Sequence, residues 1–138
     1  MTTGPSLGEM AEPACLFVYG TLVEPRCLDE VIGRRHAGER LRARLRDFVR
    51  IETDAYPYPY VAEAPGRSVE GIVVMDLSTC DWQALDRYED VDRGMYRRQI
   101  VEVEAFGCGP RPYRLQAHVY VAGPGLGGST ASEPNYNT

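Results

Sequence analysis

One carboxylate stands out by its neighbours. Between Ser78 and Glu89, the residues Trp82, Leu85 and Glu89 fall at i, i+3 and i+7, the spacing of one helix face. That face is apolar apart from Glu89. Ser78 can cap the helix, and Asp81 stands three residues later, where a capping box places an acid, usually Glu. Glu89 then lies at the C-terminal end, where backbone carbonyls carry a partial negative charge. Apolar surroundings and that negative end both disfavour the carboxylate, so the pKa rises. A carboxyl raised towards neutrality is a competent general base. In the other reading the helix ends a turn earlier and Glu89 is solvated. Asp86, Asp90 and Asp92 read as surface acids.

A second candidate is Tyr19-Gly20-Thr21-Leu22, directly after the apolar run Cys15 to Tyr19. Glycine after a buried strand allows a tight turn. Successive N–H groups in such a turn can form a concavity for an anion, and Thr21 adds a hydroxyl. A plain strand-then-turn is the other reading. The motif lacks the second Gly and the Lys of a phosphate loop.

Residue types exclude other chemistry. All 15 basic residues are Arg, so a Lys nucleophile or Schiff base is ruled out. Cys15, Cys27, Cys80 and Cys108 are scattered without CxxC spacing, and read as small buried apolar residues. His36 and His118 are too few for a metal site, so neither metal nor cofactor is expected. The net charge of -5 argues against a general nucleic-acid binder, which needs to neutralise phosphates. Arg34 to Arg50 carries seven Arg against Glu39 and Asp47. It reads as the solvated face of an edge strand, where charge blocks sheet-to-sheet pairing. Contact with nucleic acid or an anionic ligand is the alternative.

These groups need a frame. The 138 residues suit one domain, with 14–121 as its folded part. Residues 1–13 and the Gly/Ser/Pro tail 122–138 read as flexible segments. The Gly-rich run Gly123 to Gly128 has no helix after it, so it is not a dinucleotide loop. Cys15 to Tyr19 reads as a buried strand, Arg26 to Ile32 as a short helix stopped by Gly33. Residues 40–49 begin by alternating Arg with Leu or Ala, a half-exposed strand. Tyr56-Pro57-Tyr58-Pro59-Tyr60 reads as an extended loop that packs on the domain or lines a groove. Ser68 to Leu77 is a further strand with Gly71 as a possible bulge. Arg97 to Ala105 and Tyr113 to Val121 are the last strands, joined by a Gly/Pro connection. Strands that follow one another without crossover helices indicate an α+β domain with a mainly antiparallel curled sheet or small barrel of five to six strands and two or more helices. No apolar run reaches the roughly 20 residues of a membrane span, and no secretory signal pattern opens the chain. A cytoplasmic protein is the expectation.

Phe17-Val18-Tyr19-Gly20-Thr21-Leu22 resembles the opening signature of the γ-glutamylcyclotransferase-like (AIG2) family. Leu85-Asp86-Arg87-Tyr88-Glu89 followed by Gly94-Met95-Tyr96-Arg97 resembles its second motif. Pro59-Tyr60-Val61 with Val69-Glu70-Gly71, and Tyr120 in the last strand, are similar to intervening and closing parts. The likeness covers about residues 14–121. One position departs: Asp90 stands where the family often has Gly just after the helix-end Glu.

The resemblance implies an enzyme that cleaves a γ-glutamyl amide by attack of the substrate's own α-amino group, releasing 5-oxoproline and a free amine. Glu89 would be the general acid/base. The backbone at Tyr19, Gly20, Thr21 and Leu22 would bind the glutamyl group. Tyr96 and Tyr120 would wall the pocket, their rings against the glutamyl chain and their hydroxyls donating to it, unless both are ordinary half-buried strand residues. The implied partner is a small γ-glutamyl amine, with no nucleic acid, membrane or cofactor. Two alternatives stand beside it: a non-catalytic member of the same fold that binds a small ligand or a protein, and a nucleic-acid accessory protein using the Arg-rich strand.

Overall fold

The computed structural model describes residues 14–54, 56–107 and 109–124. The expectations for residues 1–13 and for most of the tail, 125–138, lie outside them, as does Cys108. Five strands form the sheet: β1 (Leu16–Val18), β2 (Arg40–Thr53), β3 (Tyr56–Val74), β4 (Tyr96–Phe106) and β5 (Tyr113–Ala122). Helix α1 (Pro25–Ile32) follows β1, and helix α2 (Thr79–Tyr88) lies between β3 and β4. The strands close into a barrel in the order β1-β3-β2-β4-β5. All pairings are antiparallel except β1 with β5, which run parallel and align Leu16 with His118. This is the expected mainly antiparallel small barrel, and the single parallel pair closes it.

Period-two alternation divides the apolar residues between two cores. Phe17, Leu45, Val73, Val103 and Val119 point into the barrel. Leu16, Val18, Leu28, Leu85 and Tyr120 pack between the barrel wall and the helices. Strand β1 is thus buried on both faces, which is why its sequence is a continuous apolar run. Strand β5 is buried on both faces too, from Ala117 to Val121. Its second face, Arg114 to Tyr120, looks polar in sequence, yet His118 and Tyr120 are covered. The Trp82 ring of α2 meets the His118 ring edge-on at 4.7 Å.

Three expectations need correction. The Pro-rich stretch at 56–60 is not a loop but the first part of β3. There β3 pairs with β2 alone, so prolines that lack an N–H can face the unpaired side. Strand β2 is not an edge: it pairs with β3 along one side and with β4 through Arg42 to Arg44 on the other. Its outward arginines meet acids from neighbouring strands, Arg44 with Glu70 at 2.8 Å and Arg46 with Glu104 at 3.1 Å. Of the cysteines, Cys15 is buried but Cys80 is exposed.

Gly71 is not a bulge. The register runs unbroken through it opposite Ala43, and the two shifts lie elsewhere, between Arg46 and Phe48 and between Ile51 and Thr53. Glycine is required because a Cβ there would collide with the Val18 carbonyl oxygen and the Phe17 ring. Gly71→Ala should therefore cost about 1–3 kcal/mol by overpacking, measured as a lower urea midpoint at unchanged slope.

Helix α2 starts as its sequence indicates. The Ser78 hydroxyl accepts from the Asp81 N–H at 3.2 Å, and Asp81 accepts from the Ser78 N–H at 2.9 Å. Asp81 is 2% exposed. It also takes a two-pronged bond from the Arg34 guanidinium in the loop after α1. That guanidinium is the main reason its carboxyl is held below the usual range.

Candidate active site

Glu89 is the C-cap of α2, its N–H donating to Leu85 O at 2.9 Å. The helix reaches it, and the side chain lines a cavity of about 200 Å³ at the junction of helix end and barrel. Burial, and next the neighbouring charge of Asp90, push its pKa up to about 7. The direction and the leading cause are those expected from the apolar helix face.

Asp90 adopts the left-handed conformation, φ 54°, a backbone that Asp tolerates better than most residues. Its carbonyl accepts from Arg93 and Met95, both at 3.1 Å. The chain thereby turns from α2 into β4 and brings Tyr96 to the cavity. Asp90→Asn keeps the turn chemistry and removes the negative charge. The Glu89 midpoint should fall below that of the parent, as read from a carboxyl NMR titration of the ligand-free protein.

The opposite wall is the loop after β1. Thr21–Val23 forms one 3-10 turn, closed by Val23 N–H to Gly20 O at 3.1 Å. The N–H groups of Gly20, Thr21 and Leu22 precede that bond and are not used within the turn. A Cβ on Gly20 would meet Pro59 at an ordinary 3.6 Å, so crowding does not explain this glycine. The Tyr19 carbonyl is turned away by Arg50 of β2, which donates to it at 2.8 Å. The Thr21 hydroxyl lies 3.2 Å from the Tyr88 hydroxyl, linking loop to helix end.

All the residues singled out in the sequence, Tyr19 to Leu22, Glu89, Tyr96 and Tyr120, line this one cavity. The tyrosine hydroxyls differ from expectation, since each donates within the protein: Tyr19 to Tyr120 O at 2.8 Å, Tyr96 to Pro59 O at 3.0 Å and Tyr120 to Asp86 at 2.7 Å. What the tyrosines offer the cavity is ring surface. Burial raises the pKa of both Tyr19 and Tyr120, so their protons stay in place at any ordinary pH.

Asp86 is not a plain surface acid. It is half-buried, accepts from Tyr120 and pairs with Arg98 of β4 at 3.0 Å. The Arg98 guanidinium also lies over the Trp82 ring. Asp86 thus ties α2 to β4 and β5 three residues before Glu89. Asp86 and Arg50 escape the sequence as site-building residues because their partners are remote in the chain, whereas Pro59 belongs to the stretch expected to pack or to line a groove. The spacing of Asp86 to Glu89 on one helix face was the one available signal. Among the described residues no group of three or more potential metal ligands occurs, and no helix is long and apolar enough to cross a membrane.

A closed five-stranded barrel with a half-buried helix-end carboxyl in one cavity with a glycine turn defines a recognisable class. Residues 16–137 match the model of a family described as gamma-glutamyl cyclotransferase, AIG2-like, and the chain belongs to that family. Solved structures share the fold. A protein from Arabidopsis thaliana, solved in solution, superposes with a TM-score of 0.70 at 21% identity, over 91% of this chain and 72% of that one. An AIG2-like protein from Mus musculus gives 0.58 at 22% identity, over 93% and 88%. A structure described as a gamma-glutamyl cyclotransferase gives 0.63 at 19% identity, over 78% and 65%. A search of curated proteins found no match.

Proposed function

We propose that this chain is an active γ-glutamyl cyclotransferase that releases 5-oxoproline and a free amine from a γ-glutamyl amide. The observation that carries the reading is the Glu89 carboxyl, raised to about 7 and facing a turn of unused N–H groups across a small cavity. That combination suits a reaction needing a proton carrier near neutral pH and donors for a carboxylate and a developing oxyanion.

The substrate supplies its own nucleophile. Its α-nitrogen forms a bond to the γ-carbon, and the bond from that carbon to the amine breaks. The proton lost by the attacking nitrogen passes to Glu89 and from Glu89 to the departing amine. A carboxyl with a pKa about 7 is poised for both transfers. The amides of Gly20, Thr21 and Leu22 bind the polar ends of the glutamyl group. The rings of Tyr96 and Tyr120 hold its chain folded, and that enforced proximity supplies much of the rate. No covalent intermediate with the enzyme is involved.

The test is release of 5-oxoproline from a panel of γ-glutamyl amines, γ-glutamyl amino acids and glutathione, with wild type and Glu89→Gln side by side. Release by wild type and its loss in a folded variant are expected. Equal release by the variant would remove Glu89 from the chemistry.

A further inference from the structure

We infer that Asp90 selects the charge of the departing amine, favouring substrates whose amine half is cationic over those whose amine half carries a carboxylate. The inference rests on the reaction proposed above and names which of its substrates this pocket takes. Three observations support it. The charged residues lining the cavity are Glu89 and Asp90, and none of the described lining residues is basic. Arg50, which reaches the lining loop from β2, donates to the Tyr19 carbonyl and is paired with Glu52 at 2.9 Å. Asp90 is itself exposed, and both hydrogen bonds to its carbonyl fix its backbone at the rim.

The proposed reaction orders the groups along the cavity. The glutamyl end lies against the Gly20 turn, the breaking bond lies at Glu89, and the amine half leaves past Asp90. A carboxylate on that half meets a second negative charge with no guanidinium to compensate. An ammonium there meets an attractive one. At an exposed rim such a contact is worth about two- to threefold per unit charge, and so about four- to tenfold between cation and anion.

The experiment uses three substrates of matched length, the γ-glutamyl adducts of 1,5-diaminopentane, pentylamine and 5-aminopentanoate, which are cationic, neutral and anionic in the amine half. The kcat/KM for 5-oxoproline release should fall in that order, with the cation ahead of the anion by about four- to tenfold. Asp90→Asn should shrink the ratio of cation to anion by about four- to tenfold. The ratio is taken within one protein, so any change in Glu89 affects numerator and denominator alike. Raising salt from about 0.05 M to about 0.5 M should compress the wild-type ratio as well. Equal rates on all three, or a ratio unmoved by Asp90→Asn, would overturn the charge selection and leave the reaction standing. Release from none would overturn the reaction. Calorimetric binding of the same compounds to Glu89→Gln would then decide the selection: cation bound first supports it, any other order ends it.

Discussion

Glu89→Gln should lose turnover by about 10²–10⁴-fold, the usual contribution of a positioned acid or base, and should at the same time become more stable than wild type at alkaline pH. The two effects share one cause. Gln keeps the shape and a hydrogen-bonding head but can neither take nor give the proton. Wild-type Glu89 must carry its charge in a site that disfavours it, its pKa moved from 4.5 to about 7. Between those values the folded state holds a proton that the unfolded chain has released, so stability falls as pH rises. The charge penalty is absent below about 4.5 and complete above about 7. At about 1.4 kcal/mol per tenfold, it amounts to at most about 3 kcal/mol, lessened by water reaching the cavity. Denaturant melts at about pH 8 and about pH 5 check this. Glu89→Gln should gain roughly 1–3 kcal/mol over wild type at the higher pH and close to nothing at the lower. A gain that did not change with pH would point to packing rather than charge.

The second large effect is expected at the other end of the same helix. Asp81→Ala removes the arm of the capping box that accepts from the Ser78 N–H, and the anchor of Arg34 with it, while the Ser78 hydroxyl keeps its bond from the residue-81 N–H. Loss of that arm and of the covered partner of an ion pair whose arginine is 42% exposed should cost about 1–2 kcal/mol at neutral pH. The acid dependence distinguishes the ion pair from simple loss of shape. Asp81's carboxyl is held below its ordinary value of 3.8. Its stabilisation is therefore complete above that pH and is lost as pH falls through the depressed folded value. The gap between wild type and Asp81→Ala should narrow in strong acid. A constant gap would assign the whole loss to the cap. Urea unfolding across the acid range measures it, and Asp81→Asn, which keeps much of the cap, should fall between the two.

Much of the site could be read from the chain because its key parts are local. The helix that carries Glu89 shows its cap, its apolar face and its end within twelve residues of sequence. The binding turn follows the most continuous apolar run, and double burial of β1 explains why that run is unbroken. What escaped was set by distant partners. Asp86 looks like any surface acid until Tyr120, 34 residues away, donates to it. Tyr96 and Tyr120 have the right rings in the right place, but their hydroxyl partners depend on packing that no spacing reveals. The long β3 was hidden by its prolines, which are tolerated where one side of the strand stays unpaired. The arginines of β2 looked like an edge because charge on one face is what an edge shows. Pairing with β4 over only three residues leaves no trace in the sequence.

The parallel pair of β1 with β5 has a consequence for when the cavity can exist. The Tyr19 hydroxyl bonds to the carbonyl of Tyr120, 101 residues later, and Tyr120 itself forms part of the wall. Contacts of such long range cost the most loop-closure entropy and form late in folding. Within the domain the glycine turn is synthesised 101 residues ahead of its counterpart. The cavity therefore assembles only after nearly the whole domain has left the ribosome. Binding to this cavity would report completion of the barrel, and a chain stopped before β5 would carry Glu89 yet have no pocket to place it in.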